Sequence, residues 1–178
     1  MQKRKNEDLG RLSTAEYQAA PKNPFCLVLD NIRSMHNVGS AFRTGDAFRV
    51  EKIYLCGITA QPPHREIQKT ALGATESVQW EYREATADLL KELKNKGYRI
   101  VLVEQIENGT YLHDFQVQAG EAYAFVFGNE VQGIQESLLE LGDIFLEIPQ
   151  YGTKHSLNIT VSMGIVIWDF LSKLGRRS

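Results

Sequence analysis

From about residue 25 onward, short apolar runs alternate with stretches of helical spacing. FCLVLD (25–30) is continuously apolar up to its last residue, the pattern of a strand buried on both faces. Residues 38–49 place Val38, Ala41, Phe42 and Phe48 at helical intervals. KIYLCG (52–57), SVQWEY (77–82), YRIVLVEQ (98–105), AYAFVFG (122–128) and DIFLEI (143–148) read as further strands. Short helices are expected at 67–72 and 134–141. A longer one covers EATADLLKELKNKGY, with Leu89, Leu90 and Leu93 on one face and Gly97 as its stop. The last helix, 158–174, is apolar on more than one side: Ile159, Met163, Val166 and Phe170, but also Val161, Ile165 and Trp168. Strands alternating with helices predict an α/β fold, a mostly parallel sheet with helices on both faces.

Residues 1–22 differ from the rest. They are polar, carry Lys3, Arg4, Lys5 and Arg11, and hold one short helical stretch, STAEYQAA. The expected organisation is a basic N-terminal arm over 1–22 and a single domain over 23–178, with no internal repeat and no separating linker. Composition is that of an ordinary globular chain: 178 residues, 43% hydrophobic and 24% charged. Twenty basic against 22 acidic residues leave a net charge of −2, so any nucleic-acid contact has to rest on a local basic patch. Cys26 and Cys56 sit in apolar runs and read as buried free thiols of a reducing compartment. No cysteine–histidine spacing fits a metal, and the N-terminus lacks the apolar core of a signal peptide. The apolar stretch 159–171 is interrupted by Thr160, Ser162 and Asp169, so no membrane span is expected. A cytoplasmic location follows.

In an open α/β sheet, ligands bind beyond the carboxyl ends of the strands. Four such ends are rich in Gly, Asn, Glu, Arg and Ser. They are Asn31 to Arg43, Glu104 to Gly109, Gly128 to Gly133, and the loop from Pro149 to Ser156 that runs into the last helix. No GxxxxGK[ST], GxGxxG or GxSxG is present, which argues against a P-loop, an ordinary dinucleotide site and a nucleophile elbow. His155 and Ser156 are adjacent in an extended loop, so their side chains point apart and do not form a catalytic pair.

Three segments, in order, resemble the motifs of one family. NVGSAFRT (37–44) is similar to its Asn-x-Gly-three residues-Arg motif and FGNEVQGI (127–134) to its Gly-x-Glu-x-x-Gly. IPQYGTKHSLNITVSMGI (148–165) is similar to its Ile-Pro-x-x-Gly-three residues-Ser-Leu-Asn. The chain resembles a SPOUT-superfamily methyltransferase of the SpoU/TrmH branch over roughly residues 24–174. The resemblance implies S-adenosylmethionine as methyl donor and RNA, tRNA or rRNA, as acceptor, most often through a ribose 2′-hydroxyl. It also implies a homodimer through the C-terminal helix, a C-terminal trefoil knot and no metal. A non-catalytic RNA- or ribosome-binding protein of the same fold, or a SPOUT base methyltransferase, is the alternative.

The resemblance further implies a catalytic group of Asn37, Arg43, Glu130, Ser156 and Asn158. The cofactor set is Gln105, Gly128, Ile148 and Leu157, with backbone groups at Gly128, Ile148 and Leu157 cradling the adenosyl moiety. Each has a plainer alternative. Arg43 could be a solvated helix charge, Asn37 an N-cap, Glu130 a turn carboxylate, and Ser156 with Asn158 a double cap of the last helix. A guanidinium stays protonated, so Arg43 suits gripping a phosphate and stabilising a developing alkoxide better than taking a proton. Glu130 is expected to hold Arg43 or to anchor the donor or the ribose. RNA contact is expected from Arg11, Arg33 and Arg43, with His36 and Lys154 as further candidates and Tyr151 as a stacking platform.

Overall fold

The structure, a computed structural model, describes residues 10–175. Helix α1 (Thr14–Ala19) is opened by a capping box: Ser13 accepts from the Glu16 amide and donates its own amide to the Glu16 carboxylate. Strand β1 (Phe25–Asp30) leads to α2 (Met35–Ala47), β2 (Lys52–Cys56), α3 (Arg65–Ala71), α4 (Ala74–Ser77) and β3 (Trp80–Arg83). Helix α5 (Thr86–Asn95) and β4 (Tyr98–Val103) follow. Next come the two-residue β5 (Thr110–Tyr111), a 3-10 turn (Leu112–Asp114) and β6 (Ala122–Phe127). Helix α6 (Glu136–Leu139), β7 (Ile144–Glu147) and α7 (Ile159–Lys173) close the order.

The seven strands form one sheet in the order β3-β2-β1-β6-β4-β7-β5, and every neighbouring pair is parallel. The chain builds outward from β1 to β3, crosses to β4, then returns twice. Strand β6 inserts between β1 and β4, and β7 between β4 and β5.

Alternation along β1 explains its unbroken apolar sequence. Phe25, Leu27 and Leu29 enter a core shared with Tyr17 of α1, Val38 and Phe42 of α2, Ile67 of α3, and Met163, Val166 and Phe170 of α7. Cys26 and Val28 face the other way, onto Leu89, Leu90 and Leu93 of α5 and Leu138 of α6. Helix α7 is keyed to the sheet by Phe170, whose ring meets Phe125 and Tyr123 edge-on at centroid distances of 5.2 Å each. Its opposite face stays open: Val161, Ile165 and Trp168 are exposed, Trp168 by 64%.

Several expectations change in detail. Helix α2 starts three residues early because Ser34, not Asn37, is its N-cap. Residues 74–77 form a helical turn held by Ser77 to Asp46 and to the Ala74 carbonyl, so β3 begins only at Trp80. Residues 110–114, too polar and short to carry a period, form the edge strand β5 and the 3-10 turn. Helix α1 is docked, since Tyr17 is buried in the main core. Lys3, Arg4 and Lys5 lie outside the described residues. Cys26 and Cys56 are free and buried, and burial raises both thiol pKa values, that of Cys56 to about 12. Among the described residues no helix is long and apolar enough to cross a membrane.

Candidate active site

A cleft of about 710 Å³ opens beyond the carboxyl ends of β4, β6 and β7. It is lined by residues 103–106, 127–134, 146–148 and 155–159, with Leu139, Gln150 and Ser162. Its polar walls are unusual in charge. Three carboxylates line it, those of Glu104, Glu130 and Glu147, and no lysine or arginine does.

The loop after β6 owes its shape to close backbone packing. Gly128 lies so near the Gly133–Ile134 peptide that an added Cβ would sit 2.4 Å from Ile134 N. Asn129 and Gly133 exchange backbone hydrogen bonds of 3.0 and 2.9 Å, while Asn129 Oδ1 accepts from the amides of Val131 and Gln132. Asn129 Nδ2 donates to the Asn31 carbonyl at 2.8 Å and ties the loop to β1. From the far side, Glu104 Oε2 accepts the Ile134 amide at 2.9 Å, and its Oε1 accepts that of Gln105 at 3.0 Å. Gln105 Nε2 donates to the His155 carbonyl at 3.1 Å, which links the loop before α7 to the end of β4.

The decisive contact joins Glu130 of the second motif to the start of α2, 93 to 97 positions earlier. The Glu130 carboxylate accepts from the amides of Arg33 and Ser34 and from Asn37 Nδ2, each at 3.0 Å. It therefore sits on the amino end of α2, where orphan amides and the helix dipole favour an anion. Partial burial works against its charge. The hydrogen bonds from Arg33, Ser34, its own amide and Asn37 outweigh that and hold its pKa below the ordinary value. A carboxylate so stabilised is a poor proton acceptor and a good anchor. Asn37 Oδ1 in turn accepts from Asn158 Nδ2 at 3.3 Å. Asn158 caps α7 through Thr160 N at 2.9 Å. One carboxylate and two side-chain amides thus fasten the starts of α2 and α7 to the loop after β6.

The structure places Asn37, Glu130, Ser156 and Asn158 around this cleft, and Gln105, Gly128, Ile148 and Leu157 in its wall. It does not bring Arg43 there. Arg43 is six residues, about 9 Å of helix, beyond Asn37 on a different side of α2. It lines a second, apolar groove with Phe48, Leu112, Ile165, Trp168 and Asp169. Two expectations are corrected accordingly. Glu130 holds the α2 amides and Asn37 rather than Arg43. Asn37, at the third helical position, is a bridge and not a cap. Of the expected double cap of α7 only Asn158 acts as one, while Ser156 lies exposed on the cleft wall. Arg33 is exposed at the foot of α2, and Arg11, Lys154 and Tyr151 are exposed away from any partner, Tyr151 by 94%.

Sequence reasoning passed over Glu104 and Asn129 as site-shaping groups. Glu104 stands among strand-end residues, but nothing beside it in sequence marks its bond to Ile134. Asp30, the polar end of β1, is another. It is fully buried and accepts from Thr86 Oγ1 at 2.5 Å and from Gln135 Nε2 at 3.3 Å. Burial raises its pKa, and the Thr86 and Gln135 bonds only partly offset this. Among the described residues, no group of three or more His, Cys, Asp or Glu side chains is placed to hold a metal ion.

Residues 24–168 match the model of the SpoU rRNA Methylase family. The chain belongs to that family. It is 31% identical over 144 residues to the 23S rRNA (guanosine-2′-O-)-methyltransferase RlmB of Neisseria meningitidis serogroup B, a match covering 81% of this chain and 56% of that protein. Among solved structures, an AdoMet-bound rRNA methyltransferase from Sinorhizobium meliloti superposes with a TM-score of 0.79 at 22% identity. That match covers 89% of this chain and 60% of the other. The A. aeolicus TrmH/SpoU tRNA modifying enzyme superposes with a TM-score of 0.76 at 26% identity, over 85% and 76% of the two chains. The SpoU-family chain described here spans little more than half the length of the curated relatives it matches first.

Proposed function

We propose that this chain transfers a methyl group from S-adenosylmethionine to a ribose 2′-hydroxyl of tRNA or rRNA. The observation that carries the proposal is the convergence of three motif segments, far apart in sequence, on one cleft through Glu130, Asn37 and Asn158. Family membership and the activities of the relatives support the same reading.

The cleft suits the cofactor in size and in charge. A volume near 710 Å³ lies within the range of small-molecule sites, roughly 300–1,000 Å³. Walls with three carboxylates and no lysine or arginine favour a cation and disfavour a nucleotide phosphate. S-adenosylmethionine supplies a methyl group on a positively charged sulfur. Backbone groups of Gly128, Ile148 and Leu157, all in the cleft wall, would hold the adenosyl moiety, and Gln105 braces the loop before α7. Glu130 fixes Asn37 and Asn158, whose amides can orient an acceptor hydroxyl. Transfer forms a carbon–oxygen bond as the carbon–sulfur bond breaks, and the hydroxyl proton leaves to solvent.

Arg43 does not reach its own cleft. It shares a groove with Ile165 and Trp168, so a second copy seated on α7 would face it. We infer a homodimer through this face, with Arg43 serving the RNA acceptor from the interface. A C-terminal knot is supported by the late insertion of β7 between β4 and β5, ahead of the 148–158 loop. We retain a catalytic domain over 23–178, a basic arm over 1–22 and a cytoplasmic setting.

Modification mapping of RNA from a deletion strain, complemented with wild type or Arg43→Ala, tests the function. The expected result is one nuclease-resistant, ribose-methylated dinucleotide restored only by wild type. A methyl group on a base would overturn the ribose assignment. Purified protein that binds RNA but not S-adenosylmethionine in calorimetry would favour a non-catalytic binding role.

A further inference from the structure

The chain is sharply asymmetric in charge. Between residues 100 and 153 there is no lysine or arginine, against nine aspartates and glutamates. This segment builds β5 to β7, most of β4 and most of the cleft, and Arg99 at the start of β4 is paired with Glu121 at 3.4 Å, so a polyanion is repelled from that side. Basic residues therefore have to guide RNA in from elsewhere.

On the α5 side the basic groups are already neutralised. Lys94 pairs with Asp143 at 2.9 Å, Lys96 with Glu92 at 2.6 Å, Lys91 with Asp88 at 3.6 Å, and Arg83 with Glu81 and Glu92. The α2–α3 side differs. Arg33, just before α2, and Arg65, the first residue of α3, are exposed and have no carboxylate partner. The one acid between them, Glu66, is shared by Lys69 at 2.7 Å and His36 at 2.9 Å.

The two helix starts are locked together. Gly39 of α2 approaches α3 so closely that an added Cβ would lie 2.2 Å from the Ile67 carbonyl oxygen. Thr70 Oγ1 donates to the His36 carbonyl at 2.9 Å. Arg65 is thereby fixed relative to the turn whose amides hold Glu130 at the edge of the cleft.

We propose that Arg33 and Arg65, with Lys69 beside them, form a phosphate track over the adjoining ends of α2 and α3, along which substrate RNA enters the cleft. This rests on the proposed RNA methyltransferase function and names the face the RNA uses. Arginines free of carboxylates can grip phosphate oxygens bidentately. Each phosphate contact releases counterions, which makes the contribution salt-dependent and indifferent to sequence.

The test uses the full chain as wild type, Arg65→Ala, Arg33→Ala/Arg65→Ala and Lys91→Ala. Affinity for a fluorescent RNA stem–loop is measured against salt, and S-adenosylmethionine binding by calorimetry. Arg65→Ala is expected to weaken RNA binding roughly 3–10-fold and to reduce the salt slope by about 0.7–0.9, with the double variant losing about twice that slope. Cofactor binding should be unchanged, and Lys91→Ala should match wild type in every measurement. Wild-type RNA affinity and slope in the double variant would overturn the track, as would an equal loss in Lys91→Ala. So would an acidic protein retained by wild type but not by Arg65→Ala, with RNA binding intact. Wild type that binds the cofactor but no RNA overturns the track and leaves the cofactor site standing. Loss of RNA affinity in Arg65→Ala without any methyl transfer by wild type supports the track and overturns the enzyme.

Discussion

Glu130→Gln is the most direct probe of how the site is held. The carboxylate receives three hydrogen bonds of 3.0 Å, two of them from the backbone amides of Arg33 and Ser34 that lead into α2. Glutamine keeps one acceptor oxygen, and its NH2 group faces a donor, so at least one charge-assisted bond is lost. Such bonds contribute about 1.5–3 kcal/mol when well shielded. Glu130 is exposed at its surface, and water replaces part of the loss. The expected destabilisation at pH 7 is about 1–2 kcal/mol, or roughly 2–8 °C in Tm for a chain of this size. The pH dependence has a definite sign. The folded state lowers the Glu130 pKa below 4.5, so its stabilisation is complete above that value. It disappears as pH falls through the lowered folded-state value. Urea unfolding of both proteins at pH 7 and at about pH 3 should show a gap that narrows in acid. An equal gap at both pH values, or none at pH 7, would refute the role assigned to the ionised carboxylate.

Three further outcomes are expected. Gly128→Ala forces a methyl group against the Gly133–Ile134 peptide, so calorimetry should show S-adenosylmethionine affinity falling at least tenfold while the circular dichroism stays folded. Asn158→Ala removes the cap of α7 and the link to Asn37, and denaturant titration should register a loss of about 1 kcal/mol, with Asn158→Asp retaining the cap. Trp168→Glu puts a charge on the open face of α7, and if the proposed dimer forms there, sedimentation should show dimer for wild type and monomer for the variant; a dimer in both would place the interface elsewhere.

The elements that sequence made legible are those whose own residues carry the signal. FCLVLD announces a doubly covered strand, and Leu89, Leu90 and Leu93 announce the buried face of α5. The three motif segments could be read as meeting at one end of the sheet because parallel strands deliver their loops to one side. What stayed hidden depends on partners distant in sequence. Nothing local tells that Glu130 caps a helix 97 residues earlier, or that Glu104 holds Ile134. The displacement of Arg43 from its own cleft was hidden for another reason. A spacing of six residues on a helix separates two side chains in direction as well as in height, and a linear motif conceals both.

The strand order also bears on how the protein is made. On the ribosome, β1 emerges with β2 and β3 soon available along one edge. Its other edge waits for β6, whose residues 122–127 come some ninety positions later. At about 5–20 residues per second, that is roughly 5–20 s during which an apolar strand is half paired. Bare strand edges recruit other chains, so this interval is when the nascent protein is most open to chaperones and to aggregation. The cleft comes later still, since its walls run to Ser162. A small molecule that fits it can stabilise the chain only after the start of α7 has been made.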